Sequence, residues 1–250
     1  MGPGQGNVSQ MFVSFQGEGL HAGRRQLFVR LGGCPLRCRW CDQPESLVPA
    51  SDCMVVTADG PHRHPNPFTV EALDAMVVAL TAAAPPLHAL AVTGGEPLLQ
   101  TDFLAAWLPA RTTRLPVLLE TAGIYPARLE RVLAWVAVAS LDLKCPSNTG
   151  ERARWDEHEA CLAASVAAGC ETYVKMPVDE GTALDEVEHG AALVARVAPA
   201  VALFLTPLTP PAGTTPMISA ATLEGLHAAA SRRHADVRVL PQLHKVMGIL

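Results

Sequence analysis

Cys34, Cys38 and Cys41 follow one another in a C-x3-C-x2-C run, and thiolates at that spacing on one short loop are soft metal ligands. Structural zinc sites and electron-carrying iron–sulfur clusters take four protein ligands. A loop offering three to a four-iron cluster leaves one iron without a protein ligand, open to chemistry. The other soft-metal reading is zinc held by the three thiols and a histidine, in a module that is not an enzyme. A second motif, Gly94, Gly95, Glu96 and Pro97, sets glycines beside a carboxylate, a turn that lets backbone approach a ligand closely. Gln16, Gly17, Glu18 and Gly19 form a similar turn near the N-terminus.

The elements that must carry these motifs alternate. Residues 11–15 and 26–31 read as strands, the second interrupted by Arg30, an awkward residue to bury unless an anion meets it. From Thr69, a helix cap, Val70, Leu73, Val77 and Leu80 mark one helical face, which Pro85 and Pro86 end. Strands follow at 88–93, 117–120, 137–143, 173–176 and 201–205, each leading into a helix: 101–110, from Pro126, 154–168, the face of Leu184, Val187, Ala191 and Val194, and 219–233. A last strand covers 237–240. Six strand-then-helix units imply a parallel α/β sheet, too few for a closed barrel and therefore an incomplete, laterally open one. Its site-bearing rim lies at the carboxyl ends of the strands. There the cysteines follow strand one, the glycine pair strand two, Glu120 and Thr121 strand three, Asp142 to Lys144 strand four, Lys175 strand five and Thr206 to Leu208 strand six, with Gln242 to Lys245 after the last strand.

The 250 residues suffice for a single domain spanning 1–250. Residues 1–10 read as a flexible tail, 42–68 as a long loop or lid rich in proline and histidine, and 236–250 as a final strand and C-terminal tail. His62 and His64 in that loop lack the second half of a metal site and read as solvated. A formal charge of -5 argues against a nucleic-acid or anionic-membrane partner and for a small molecule. No apolar run reaches the roughly 18 residues of a membrane span. Without a secretion signal, Cys53, Cys145, Cys161 and Cys170 are expected as free thiols in a reducing cytoplasm.

The cysteine run with Trp40 before its third thiol, and the glycine-glutamate-proline turn after the second strand, resemble the radical S-adenosylmethionine enzymes. Residues 12–19 (FVSFQGEG), 28–34 (FVRLGGC), 38–42 (CRWCD), 93–97 (TGGEP), 120–123 (ETAG), 140–144 (SLDLK) and 244–245 (HK) resemble, in order and spacing, the 7-carboxy-7-deazaguanine synthase family. The resemblance implies a (βα)6 partial TIM barrel of the radical SAM type. It also implies a reaction of queuosine and deazapurine biosynthesis. A reduced 4Fe-4S cluster cleaves adenosylmethionine, the 5'-deoxyadenosyl radical takes hydrogen from C6 of 6-carboxy-5,6,7,8-tetrahydropterin, and the ring contracts with loss of ammonia.

By the same resemblance Cys34, Cys38 and Cys41 ligate the cluster. Trp40, Gly94, Gly95 and Glu96 border adenosylmethionine, as do Asp142, Leu143 and Lys144, and Thr206, Pro207, Leu208 and Thr209. Phe15, Gln16, Gly17 and Glu18 border the pterin; Thr93, Glu120 and His244 bond its edges; Arg30 pairs with its carboxylate, unless it forms a salt bridge inside the sheet. Leu250 offers its carboxylate near the substrate. A flavodoxin or ferredoxin is implied as electron donor, and a homodimer as assembly. The family carries a small hydroxyl residue after its Cys-Asp pair, where it ligates Mg2+; this chain has Gln43, a neutral, longer oxygen donor. The ion is left to Gln43, to Asp42, to water, or is absent. A related radical enzyme, such as an activase acting on a protein glycine, is the alternative within the superfamily.

Overall fold

The computed structural model describes residues 4–209 and 218–250. Its strands are β1 (Gln5–Gly6), β2 (Val8–Phe15), β3 (Arg25–Leu31), β4 (Asp52–Thr57), β5 (Gly60–Pro65), β6 (Phe68–Thr69), β7 (Ala89–Gly94), β8 (Val117–Thr121), β9 (Val138–Asp142), β10 (Glu171–Val178), β11 (Leu203–Pro207) and β12 (Val237–Val239). The helices are α1 (Val70–Ala83), α2 (Thr101–Ala110), α3 (Pro126–Glu130), α4 (Pro146–Thr149), α5 (Trp155–Ala167), α6 (Leu184–Val197), α7 (Ala220–Ser231) and α8 (Leu243–Met247).

One sheet runs β12-β11-β10-β9-β8-β7-β3-β2-β4-β5. From β3 through β7 to β12 every neighbouring pair is parallel. Parallel neighbours need a crossover, and the helices between successive strands supply it. Because such a sheet is covered, its strands are apolar runs: Leu27, Val29 and Leu31 of β3, and Leu90 and Val92 of β7, are fully buried. α1 starts as the sequence requires, with the Thr69 hydroxyl accepting from Ala72 N at 3.2 Å, and it buries Leu73 and Val77 against the sheet. The expected α/β architecture of an open parallel barrel is what forms.

The first strands depart from expectation. Residues 1–10 are not a tail where described: β1 pairs with β6, and β2 begins at Val8, with Val8 and Met11 buried between β3 and β4. Glycines and polar residues at the start of the chain mask that apolar pair. Residues 42–68 are not a structureless lid either, since β4 and β5 form a hairpin that extends the sheet. Its signal is the period-two burial of Cys53 and Val55, diluted by histidine and proline on the exposed edge strand β5, where His62 sits. In 236–250, α8 replaces a simple tail. Among the described residues no helix is long and apolar enough to cross a membrane.

Candidate active site

The cysteine loop begins where β3 meets the end of β7. Gly33 N donates to Ser46 O at 2.9 Å and Cys34 N to Leu47 O at 3.1 Å, so the loop is stitched to the segment after it. Cys41 N donates to Cys38 O at 3.1 Å, and the Arg37 guanidinium donates to Cys34 O and Leu36 O, both at 2.7 Å, closing the turn. Cys34 and Cys38 pack on Leu36, Ala122 and Ile124. Burial pushes the Cys34 thiol up to about 11, with the Glu96 and Cys38 charges adding to it and a backbone bond at Leu36 opposing. Thiols so placed keep their protons until a cation takes them over.

All three cysteines line one cleft of about 1170 Å³, open in part to solvent. With them the wall carries Trp40, Gly94, Gly95, Asp142, Lys144, Thr206 and Leu208. Trp40 is clamped: its Nε1 donates to Asn148 Oδ1 at 3.2 Å, and the Lys144 ammonium lies 4.6 Å from its ring centroid. Gly94, with φ +146, and Gly95 are glycines because a Cβ on either would collide with backbone, Leu31 for the first and Gly33 and Ser46 for the second.

The cleft is also lined by Phe15, Gln16, Gly17, Glu18, Arg30, Thr93, Glu120, His244 and Leu250. Gln16 Nε2 donates to Glu120 Oε1 at 2.8 Å, and Gln16 Oε1 accepts from Glu18 N at 3.1 Å. α8 closes this end: Leu243 N donates to Gly17 O at 3.0 Å, and the His244 ring packs where a side chain at residue 17 would stand. Ser14 Oγ donates to Leu250 O at 2.8 Å. Arg30 has its Nε buried without a hydrogen-bond partner, lies 5.3 Å from the Phe12 ring centroid, and has no carboxylate partner among the described residues. The salt bridge considered for it does not form.

Along the cleft runs a chain of charges. Lys144 Nζ is 2.7 Å from Asp142 Oδ2, Lys175 Nζ is 3.4 Å from Asp142 Oδ1 and 2.7 Å from Glu18 Oε2, and Gln242 Nε2 donates to Glu18 Oε1 at 3.0 Å and to Asp42 Oδ2 at 3.2 Å. Burial pushes the Glu18 carboxyl up, but Lys175, Gln242 and His244 outweigh it and hold it down to about 2. Burial likewise opposes the charge on Asp142, and the two lysines overcome it, so its carboxyl stays below the ordinary range.

Four expected residues stay off the wall: Glu96, Leu143, Pro207 and Thr209. The Glu96 carboxylate is fully buried and accepts from Leu98 N, Ala122 N and the Thr121 hydroxyl, so it ties the loop after β7 to the loop after β8 and does not reach into the cleft. Leu143 joins the core, because the side chain after Asp142 alternates to the other face of the sheet. Thr209 N donates to Gln242 Oε1 at 3.1 Å. Lys175 and Gln242 had been placed at the rim without a role; a lone cation inside the apolar strand around Lys175 is the signal that could have supplied one.

The Radical SAM superfamily description matches residues 28–194 of the chain. A curated 7-carboxy-7-deazaguanine synthase from Geobacter sulfurreducens is 35% identical over 97% of this chain and 97% of its own length. Another from Methanothermobacter thermautotrophicus is 30% identical, again over 97% of each. The chain belongs to the 7-carboxy-7-deazaguanine synthase family, within the radical SAM superfamily. The crystal structure of QueE from Escherichia coli shares the fold, with a TM-score of 0.57 at 19% identity, covering 96% of this chain and 95% of that one.

Membership brings a 4Fe-4S cluster and S-adenosylmethionine, and the donor set fits the cluster: three thiols facing one open cleft, with Cys53, Cys145, Cys161 and Cys170 off its wall. A resident Mg2+ fits less well. Gln43 reaches the cleft, and ligand atoms of Glu18, Asp42 and His244 lie within 4.8 Å of one another. Yet Glu18 already carries the Lys175 ammonium, and Asp42 Oδ2 has Lys245 Nζ at 3.5 Å and the Gln242 amide at 3.2 Å. A divalent ion would have to displace those cations, and the amide oxygen of Gln43 adds no charge to favour it.

Proposed function

We propose that the chain converts 6-carboxy-5,6,7,8-tetrahydropterin to 7-carboxy-7-deazaguanine with loss of ammonia, a step of deazapurine and queuosine biosynthesis. The observation that carries this reading, beyond family membership, is Arg30: a guanidinium lining the cleft, its Nε buried without a partner and no carboxylate against it among the described residues, suits an anionic guest. A pterin carboxylate offers two oxygens to its planar fork. The donors on the far edge of a pterin then meet acceptors: the Glu18 and Glu120 carboxylates and the Thr93 hydroxyl line the same cleft. Phe15 and Phe28 give the ring apolar surface, while α8 and the segment 16–18 close that end against solvent. Trp40, Asp142 and Lys144 would hold adenosylmethionine beside the cysteines. When bound, the reduced cluster and adenosylmethionine supply the chemistry that takes the hydrogen from C6; the chain binds, orients and excludes water.

The same closed end disfavours a protein-activating relative, since a peptide would need an open groove where the Gln16–Glu120 pair and α8 stand. The electron donor (flavodoxin or ferredoxin) and the homodimer rest on the family resemblance alone, and the cytoplasmic location on the sequence reading of no secretion signal or membrane span. Anaerobically reconstituted protein, given reductant, adenosylmethionine and the carboxypterin, is expected to release 5'-deoxyadenosine and the 7-deazaguanine acid. Deoxyadenosine without a ring-contracted product would leave a radical SAM enzyme with another substrate. A colourless protein carrying one zinc would remove the enzyme reading.

A further inference from the structure

Lys175 stands between residues assigned to the two ligands. It projects from the middle of β10 with its side chain 6% exposed, 2.7 Å from Glu18 Oε2 on one side and 3.4 Å from Asp142 Oδ1 on the other. Asp142 hands the contact on to Lys144 at 2.7 Å, and Lys144 rests on Trp40 of the cysteine loop at 4.6 Å. Four charges therefore alternate from the pterin end to the cysteine end. In a poorly solvated cleft each is held by its neighbours.

We propose that Lys175 is a positioning residue shared by both ligands: its ammonium fixes the Glu18 carboxylate toward the substrate and, through Asp142, the Lys144 ammonium toward adenosylmethionine. One charge then couples the two binding sites, and by linkage each ligand's affinity depends on the other. This rests on the reading that the pterin and adenosylmethionine share this cleft.

The groups facing Glu18 and Lys175 come from several elements: Tyr173 on β10, Asp142 on β9, Glu120 on β8, Gln242 and His244 around α8, and Asp42 after the cysteines. Without the ammonium of Lys175, the partly buried Glu18 and Asp142 carboxylates would face each other with Gln242 left on the first and Lys144 on the second, and like-charge repulsion would push both carboxyls upward. Glu18 would then cease to be a pure acceptor for the pterin, and Asp142 would no longer be drawn toward β10.

The test is anaerobic titration calorimetry on cluster-loaded, unreduced protein, with adenosylmethionine and 6-carboxy-5,6,7,8-tetrahydropterin added separately. Lys175→Met is expected to weaken both ligands about tenfold or more, and to make pterin affinity fall further between about pH 8 and pH 6 relative to the unaltered protein. Lys175→Arg keeps the charge and is expected to restore both affinities to within about threefold, RT ln 3 being well below one buried ion pair. Glu18→Gln removes a buried charge and needs no refolding around a lost cation. It is expected to shift adenosylmethionine affinity at least about threefold, although Glu18 belongs to the substrate wall. Unchanged adenosylmethionine affinity in Glu18→Gln overturns the coupling, whatever Lys175→Met does. If the unaltered protein binds adenosylmethionine but no carboxypterin, the substrate reading itself fails, a result distinct from either.

Discussion

Arg30 and Lys175 show how differently two cations inside apolar strands can be resolved. Among the described residues Arg30 has no protein carboxylate against it, whereas Lys175 is shared by two. A guanidinium whose Nε is buried without a partner costs stability and is explained by a ligand. Arg30→Gln is therefore expected to weaken the carboxypterin about tenfold or more, leave adenosylmethionine affinity unchanged, and not lower the melting temperature. Loss of both affinities together in calorimetry would contradict it. Asp42 argues similarly about metal: with Lys245 and Gln242 already on its oxygen, turnover should survive chelation with EDTA and change less than about twofold on adding Mg2+, since no ligand set waits for the ion. Strict dependence on Mg2+ would place an ion at Gln43 after all. Arg30 was legible in the sequence as a charge out of place; the direction of Glu96 was not, because a glycine turn does not reveal which way the next carboxylate faces.

Elements hold these residues by crossing closely and by buried polar ties. Gly95 passes against the backbone of Gly33 and Ser46, and Gly95 N donates to Leu31 O at 3.0 Å, so the end of β7 braces the root of the cysteine loop. Gly95→Ala should cost about 1–3 kcal/mol by overpacking and reduce iron uptake on reconstitution, read by melting temperature and iron content; unchanged values would mean that the loops part freely. A second tie is His158 on α5, whose Nε2 accepts from Lys144 N at 3.3 Å. Burial, helped by the Lys144 charge, pushes this imidazole from 6.5 down to about 4, so it is neutral at pH 7. The unfolded chain binds the proton first as pH falls, so stability is lost between pH 6.5 and about 4, at up to about 1.4 kcal/mol per pH unit from this group. His158→Gln should flatten that fall in melts at pH 7 and pH 5, and identical slopes would refute the tie. The strand-then-helix units were readable because each buries a regular apolar pattern. The β4–β5 hairpin and α8 were not, since an edge strand carries proline and histidine and a five-residue helix has too few positions to show a period.

At the scale of the whole molecule, an open parallel barrel gathers chemistry from distant parts of the chain into one cleft. Three thiols after β3, an arginine of β3, the segment 15–18 and residues around the start of α8 all line it. The three thiols were readable because metal ligands must keep their spacing on a single loop, but Glu96, Leu143, Pro207 and Thr209, expected beside adenosylmethionine, stay off the cleft. The residues assigned to the pterin all line the cleft, but the assignment came from resemblance, since residues 16–18, 120 and 244 meet through the fold and not through spacing. The central claim is that this cleft holds a carboxypterin with C6 toward the cofactor. Its most direct test uses carboxypterin deuterated at C6 under single-turnover, anaerobic conditions, with mass spectrometry of the 5'-deoxyadenosine. Deuterium in the deoxyadenosine, with the 7-deazaguanine acid formed alongside, is the predicted result. Unlabelled deoxyadenosine would contradict it.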